Sequence, residues 1–293
     1  MSDRLCLLSV HAHPDDEASK GAGTVARYAA EGVRTVLVCC TGGEAGDILN
    51  PAMDREDVRS RLHEVRMDEL RTAADIIGYE ELCLLGYRDS GMPDSPHNDD
   101  PMCFAKADLV EAVGLLVAII RSEQPHVLIT YGDDQKSYPH PDHLQVHSVS
   151  IAAFDAAGDP ARYPEAGPAW QPLKMYYSAW SRERARARHE KFLELGLESP
   201  YKPEWFDRDW QDHRITTKID LTGFEDISQR ALLAHATQVD PNSPFWFGLP
   251  EDVARTIYPH DDYILARSLV EVHPPETDLF AGVRDQVGAS ERQ

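Results

Sequence analysis

Positive charge is scarce in this 293-residue chain: 29 lysines and arginines face 50 aspartates and glutamates, for a formal net charge of −21. Nucleic acid or an anionic membrane would be repelled over most of such a surface, so a small molecule is the expected partner. Long hydrophobic runs are missing too. No stretch approaches the apolar length of a membrane span, and the opening MSDRLCLLSV has neither the basic start nor the cleavage pattern of a leader, which predicts a cytoplasmic protein. Cysteine is sparse and unpatterned. Cys6, Cys39, Cys40, Cys83 and Cys103 form an odd set without a CxxC pair, pointing to buried free thiols rather than disulfides or a zinc knuckle. The absence of repeats and low-complexity blocks excludes a repeat array.

What is present is an alternation of short apolar runs and amphipathic stretches, the pattern of a parallel sheet flanked by helices. LCLLSV (5–10), RTVLVCC (34–40), ELCLLGY (81–87) and HVLITY (126–131) read as strands. KGAGTVARYAAEG, ended by Gly32, predicts a helix, as does ADLVEAVGLLVAIIRSE (107–123). One long helix is expected over 55–78, where Val58, Leu62, Val65, Leu70, Ala73 and Ile77 recur near a 3.6 period before Gly78. The stretch 88–102, rich in Pro, Asp and Asn, predicts a loop. Past residue 157 a Pro/Gly-rich segment opens a region where strands (KMYYSAW, RITTKID) and helices recur with longer connections. The expected fold is α/β: a Rossmann-like, mostly parallel sheet over 1–157 carrying the chemistry, with a C-terminal α/β elaboration over 158–293 packed on it and completing the substrate pocket.

Two similar tetrapeptides stand out, HPDD at 13–16 and HPDH at 140–143. Each follows a predicted strand and contains a proline, which suits the first turn of a helix, so both belong at the carboxyl edge of the sheet where open α/β folds bind ligands. Residues three apart on a helical turn share a face, which lets His13 and Asp16 point at one ion while Asp15 points elsewhere. A His and a carboxylate from the first turn with one His from the second make three ligands and a vacant position, the arrangement of a catalytic zinc. Such an ion acidifies water and polarises a carbonyl. Asp15 would then accept the proton, and whichever of His140 and His143 does not bind metal would stabilise an oxyanion or protonate a leaving amine. The parts suit amide hydrolysis. Either tetrapeptide alone would pass as a helix cap, but two at two strand ends are harder to explain that way. His11 and Glu17 are expected to take supporting roles.

These residues resemble the LmbE/PIG-L family of metal-dependent N-acyl-glucosamine deacetylases and amidases. HAHPDDEASKGAGTVARYAAEG, TGGEAGDILNPAMD, YPHPDH, AHATQVDPNSPFWF and PPETDLFAG carry the likeness over nearly the whole chain. Within the family the chain is similar to the amidase branch acting on S-conjugates of mycothiol, a pseudo-disaccharide thiol. The resemblance implies one Zn²⁺ per chain, with Fe²⁺ or another divalent transition metal as alternatives, held by His13, Asp16 and His143. It implies Asp15 as general base, His140 as the histidine stabilising the transition state, Asp142 orienting His140, and Tyr138 helping to polarise the carbonyl. It further implies Arg66 and Asp89 as contacts to sugar and inositol hydroxyls, Lys20 as a mark of the amidase branch, and His235 as a substrate contact. Glu44, in the Gly-rich loop after the second strand, lies on the same edge. The implied reaction cleaves the amide between glucosaminyl-inositol and the acylated cysteine, giving a mercapturic acid and GlcN-Ins. Deacetylation of GlcNAc-Ins or a related N-acetyl sugar, and processing of a natural-product conjugate, are neighbouring expectations.

Other readings are weaker. GAGTVA (21–26) matches a dinucleotide fingerprint, but its first glycine lies some ten residues past the strand and no ribose-binding acid ends the second strand, so close helix packing explains it better. SRERARARHEK (181–191) reads as a solvated helix face rather than a docking surface, and Trp205, Phe206 and Trp210 read as loop packing.

Overall fold

The computed structural model describes residues 4–136 and 138–290. Five strands run parallel: β1 (Cys6–His11), β2 (Arg34–Thr41), β3 (Glu81–Tyr87), β4 (Val127–Thr130) and β5 (Lys174–Ala179). Two more, β6 (Thr217–Asp220) and β7 (His260–Ser268), join antiparallel beyond β5, so the order is β3-β2-β1-β4-β5-β7-β6. The mostly parallel α/β architecture is the expected one. β5, β6 and β7, from beyond residue 157, extend the same sheet.

The apolar runs become inner strands because helices cover both faces. Along β2, Val36, Val38 and Cys40 face one cluster with Val113, Leu116 and Val117 of the Leu109–Glu123 helix and Val146 and Val149 of the Pro141–Ala157 helix. The alternate residues Leu37 and Cys39 meet Met67, Leu70 and Ala74 of the Leu62–Ile77 helix. β3, at the sheet edge, is only partly covered.

The helix expected over KGAGTVARYAAEG forms at Ala22–Ala30, preceded by a short helix, Asp16–Ser19, from which Gly21 at φ +97° separates it. One helix differs from expectation. The 55–78 helix divides into Glu56–Arg59 and Leu62–Ile77, the backbone at Arg61 leaving the helical region. Gly23 does serve close packing: a Cβ there would come within 3.0 Å of the Leu221 side chain. Among the described residues all five cysteines are free thiols, and no helix is long and apolar enough to cross a membrane. Buried Arg121 organises the Pro/Gly-rich segment by donating to the carbonyl oxygens of Ala157, Asp159, Arg162, Tyr163 and Gly167. Arg182–Glu194 is a largely solvated helix, and Trp205, Phe206 and Trp210 pack around Phe192, Tyr201 and Leu249.

Strand order places the two tetrapeptides. From β1 the chain moves outward to β2 and β3, then returns to β4 on the other side of β1, where Leu7, Leu8 and Ser9 pair with Val127, Leu128 and Ile129. The segments leaving the carboxyl ends of β1 and β4 therefore open side by side, at a topological switch point.

Candidate metal centre

His13 leaves β1 after Ala12, and Asp16 begins the short helix that follows. His140 caps the Pro141–Ala157 helix, with Pro141 in its first turn as expected, and His143 lies one turn in. Asp16 Oδ2 sits between two imidazoles, 3.4 Å from His13 Nδ1 and 3.3 Å from His143 Nε2. His13, Asp16, His140 and His143 are all buried, and the His140 ring lies 4.5 Å from His13 between centroids. A ligand atom from each of His13, His140 and His143 falls within 4.8 Å of the others. A second group within the same limit is His13, Asp89, His140 and Asp142.

The carboxylates show how the cluster is ordered. Asp142, fully buried, accepts from the Ser90 amide at 2.9 Å and from the Ser90 hydroxyl, and its Oδ2 lies 3.1 Å from His13 Nε2. The expected pairing of this carboxylate with His140 is corrected here: Asp142 meets His140 through its backbone N–H, which donates to His140 Nδ1 at 3.2 Å, and its carboxylate orients His13. With Nδ1 accepting, His140 carries its proton on Nε2. Asp89 Oδ1 lies 3.4 Å from His13 Nε2 and accepts from the Gly91 amide. Lys20 Nζ donates to Asp16 Oδ1, the oxygen turned away from the imidazoles.

Asp15 caps the short helix at φ +114°, a conformation that costs a non-glycine residue on the order of 1–3 kcal/mol. Its carboxylate, 30 % exposed, lies 3.1 Å from Arg66 Nη2. Arg66 is 2 % exposed and also donates to the carbonyls of Pro14, at 2.6 Å, and Gly43. A glycine is needed at 43, since a Cβ there would lie 2.3 Å from the Arg66 guanidinium carbon. His235 is placed beneath the site: it is fully buried and its Nε2 bonds Glu17 Oε1 at 2.5 Å, so the structure gives it no substrate-facing position. Tyr138 is half-exposed, with its hydroxyl on Met92 Sδ and its ring 5.3 Å from His143. Glu44 is partly buried and lies 3.6 Å from Arg88.

Tyr131, Ser90 and the Glu17–His235 pair were not identified from sequence. Tyr131 stacks on His143 at 4.4 Å and receives the Ala12 amide on its hydroxyl at 3.0 Å. Its place directly after β4, on the carboxyl edge, was the available signal.

The electrostatics favour a cation. Burial opposes charge on His13, but the carboxylates of Asp142, Asp16 and Asp89 outweigh it and hold this imidazole well above its usual range. The cluster thus retains a proton where three nitrogen and oxygen donors converge, which fits the donor set of a transition-metal ion. Burial, with smaller effects from His13 and His143, pushes His140 down to about 4, so it is neutral at pH 7. Burial also raises Asp15 to about 6, against the opposing charge of Arg66 and with help from Asp16.

Residues 8–154 match the family described as PIG-L, GlcNAc-PI de-N-acetylase. The chain is 44 % identical to mycothiol S-conjugate amidase from Streptomyces coelicolor, over 97 % of this chain and 99 % of that one. It is 40 % identical to 1D-myo-inositol 2-acetamido-2-deoxy-alpha-D-glucopyranoside deacetylase from Streptomyces avermitilis, over 94 % and 97 % of the two chains. In fold it resembles N,N'-diacetylchitobiose deacetylase from Pyrococcus horikoshii, with a TM-score of 0.59 at 18 % identity over 89 % of this chain and 83 % of that one. From the matched span and the near-full-length relatives, the chain belongs to the PIG-L family.

Proposed function

We propose that the protein is a metal-dependent amidase that hydrolyses mycothiol S-conjugates at the amide between glucosaminyl-inositol and the acylated cysteine, releasing a mercapturic acid and GlcN-Ins. One observation supports the hydrolytic reading: the turns after β1 and β4 set Asp16 Oδ2 between His13 Nδ1 and His143 Nε2, with the His140 ring beside His13. The choice of substrate is supported by the 44 % identity to an amidase and by Lys20.

His13 Nδ1, Asp16 Oδ2 and His143 Nε2 would hold the ion, with zinc as the native metal. The group that includes Asp89 and Asp142 is less suited, because both Asp142 oxygens already receive Ser90 donors, and His140, which belongs to both converging groups, is given the oxyanion role instead. A bound divalent ion would supply Lewis acidity toward the acyl carbonyl and toward a water molecule. Asp15, raised to about 6 yet still largely ionised at pH 7, takes the proton of the attacking water and passes it toward the leaving nitrogen. His140 offers its Nε2–H to the developing oxyanion, the role its neutral state suits. Tyr138, on the exposed loop beside these rings, can swing its hydroxyl from Met92 to the same oxygen. Arg66 holds the Asp15 carboxylate, while Asp89, buried beside His13, would meet substrate hydroxyls.

Deacetylation of GlcNAc-Ins is the second reading, favoured by the family description and the 40 % identical deacetylase. Comparing kcat/KM for a mycothiol–bimane conjugate with that for acetate release from GlcNAc-Ins decides between them. Higher specificity for the conjugate is expected; higher specificity for GlcNAc-Ins would overturn the amidase assignment. Asp15→Ala is expected to keep its metal and lose most turnover, and near-normal rates would remove Asp15 as the base.

A further inference from the structure

Asp15 stands at φ +114°, a backbone state that its own side chain does nothing to favour, since it makes no capping bond to the helix it precedes. Something else must hold it there. Its amide N–H donates to Glu17 Oε2 at 2.9 Å, and the other oxygen of Glu17 is bonded by His235 Nε2 at 2.5 Å. Both side chains are 0 % exposed.

His235 arrives from a segment 218 residues away, and that segment is fastened on several sides. Thr237 donates its amide and hydroxyl to Glu69 at 2.8 and 2.6 Å, and its carbonyl receives the Leu49 amide at 2.8 Å. Asn50 donates to the Ala236 carbonyl at 2.9 Å. The imidazole therefore has little freedom to follow Glu17, and Glu17 in turn has little freedom to follow the Asp15 amide. We propose that Glu17, anchored by His235, is a positioning residue that locks the left-handed backbone of Asp15 and so aims the base carboxylate at the metal centre. Neither side chain touches substrate. Arg66 restrains the carboxylate end of Asp15 and Glu17 the amide end, so the base is gripped from both sides.

The inference rests on Asp15 being the base, and the experiment separates the two. Glu17→Leu, Glu17→Gln and Asp15→Ala are purified and compared with the unaltered protein for bound metal, secondary structure, and kcat and KM on a mycothiol–bimane conjugate. Misplacing a reacting group by about 1 Å costs on the order of 100-fold, so Glu17→Leu is expected to lose about that much in kcat. KM and metal per folded chain should stay near their original values. The amide oxygen of Glu17→Gln can still accept from the Asp15 N–H, so this variant is expected to recover most of the rate. A folded Glu17→Leu with unchanged kcat, beside an inactive Asp15→Ala, overturns the proposal while sparing the base. Loss of metal in step with activity also overturns it, since the pair would then serve the ion rather than Asp15. If Glu17→Leu does not fold, Glu17→Gln decides: a retained rate supports positioning through the hydrogen bond, and a loss of about 100-fold contradicts it.

Discussion

Replacing Asp142 with Asn tests how the metal ligands are held. Asp142 is fully buried and its two oxygens serve three donors: His13 Nε2, the Ser90 amide and the Ser90 hydroxyl. Asn keeps the size but has one accepting oxygen, so its NH₂ must face at least one of these donors. The His13–Asp142 contact is the link that steers His13 Nδ1 toward Asp16 and His143. Removing the outer partner of a metal-binding histidine weakens affinity by about 10–100-fold, equivalent to about 1.4–2.7 kcal/mol. The assay strips the protein with a chelator and titrates zinc back against a chromophoric competitor at fixed pH. Unchanged affinity in a folded Asp142→Asn protein would refute the reasoning. A fall in kcat without a fall in affinity would instead restore the sequence expectation that Asp142 serves His140.

Two predictions concern stability. Lys174, fully buried in β5, bonds both Glu276 oxygens at 2.9 and 3.0 Å, and Glu276 also accepts from Tyr176 at 2.8 Å. Lys174→Met should cost about 3–5 kcal/mol by leaving a buried carboxylate unpaired, measured by denaturant unfolding. Adding Glu276→Gln should recover much of that loss, and a single variant within about 1 kcal/mol of the original would contradict the pairing. His126 accepts the Cys6 amide at 3.2 Å, and burial holds its pKa below the usual 6.5. The unfolded chain therefore takes up the proton first, so His126 stabilises the fold above that value and its contribution is lost as pH falls below it. His126→Asn should lose less stability than the unaltered protein between pH 7 and 5; equal losses would show that His126 does not contribute.

The chemistry was legible in the sequence wherever it was local. HPDD and HPDH each present their groups within one turn, and the apolar runs before them mark the strands that carry those turns to one edge. What the two turns meet depends on strand order, and this is where local reading fell short. The resemblance implies Arg66 as a contact to sugar hydroxyls, yet it lies in the buried stripe of its helix, where the carbonyls of Pro14 and Gly43 and the Asp15 carboxylate receive it. Asp142 was assigned to its neighbour His140, whereas its carboxylate reaches across to His13, 129 residues earlier. His235 drew attention through the AHATQ segment, but only the fold shows that it ends on Glu17. Tyr131 fell at the end of an apolar run and was read as part of a strand, although it packs on His143.

The most direct test is the metal content of protein purified without added zinc, measured by elemental analysis together with amidase activity. About one equivalent of a divalent transition metal per chain is predicted, kept by Asp15→Ala and lost by His13→Ala and Asp16→Ala. Metal-free protein that hydrolyses the conjugate at full rate, or a His13→Ala variant that keeps its ion, would contradict the account.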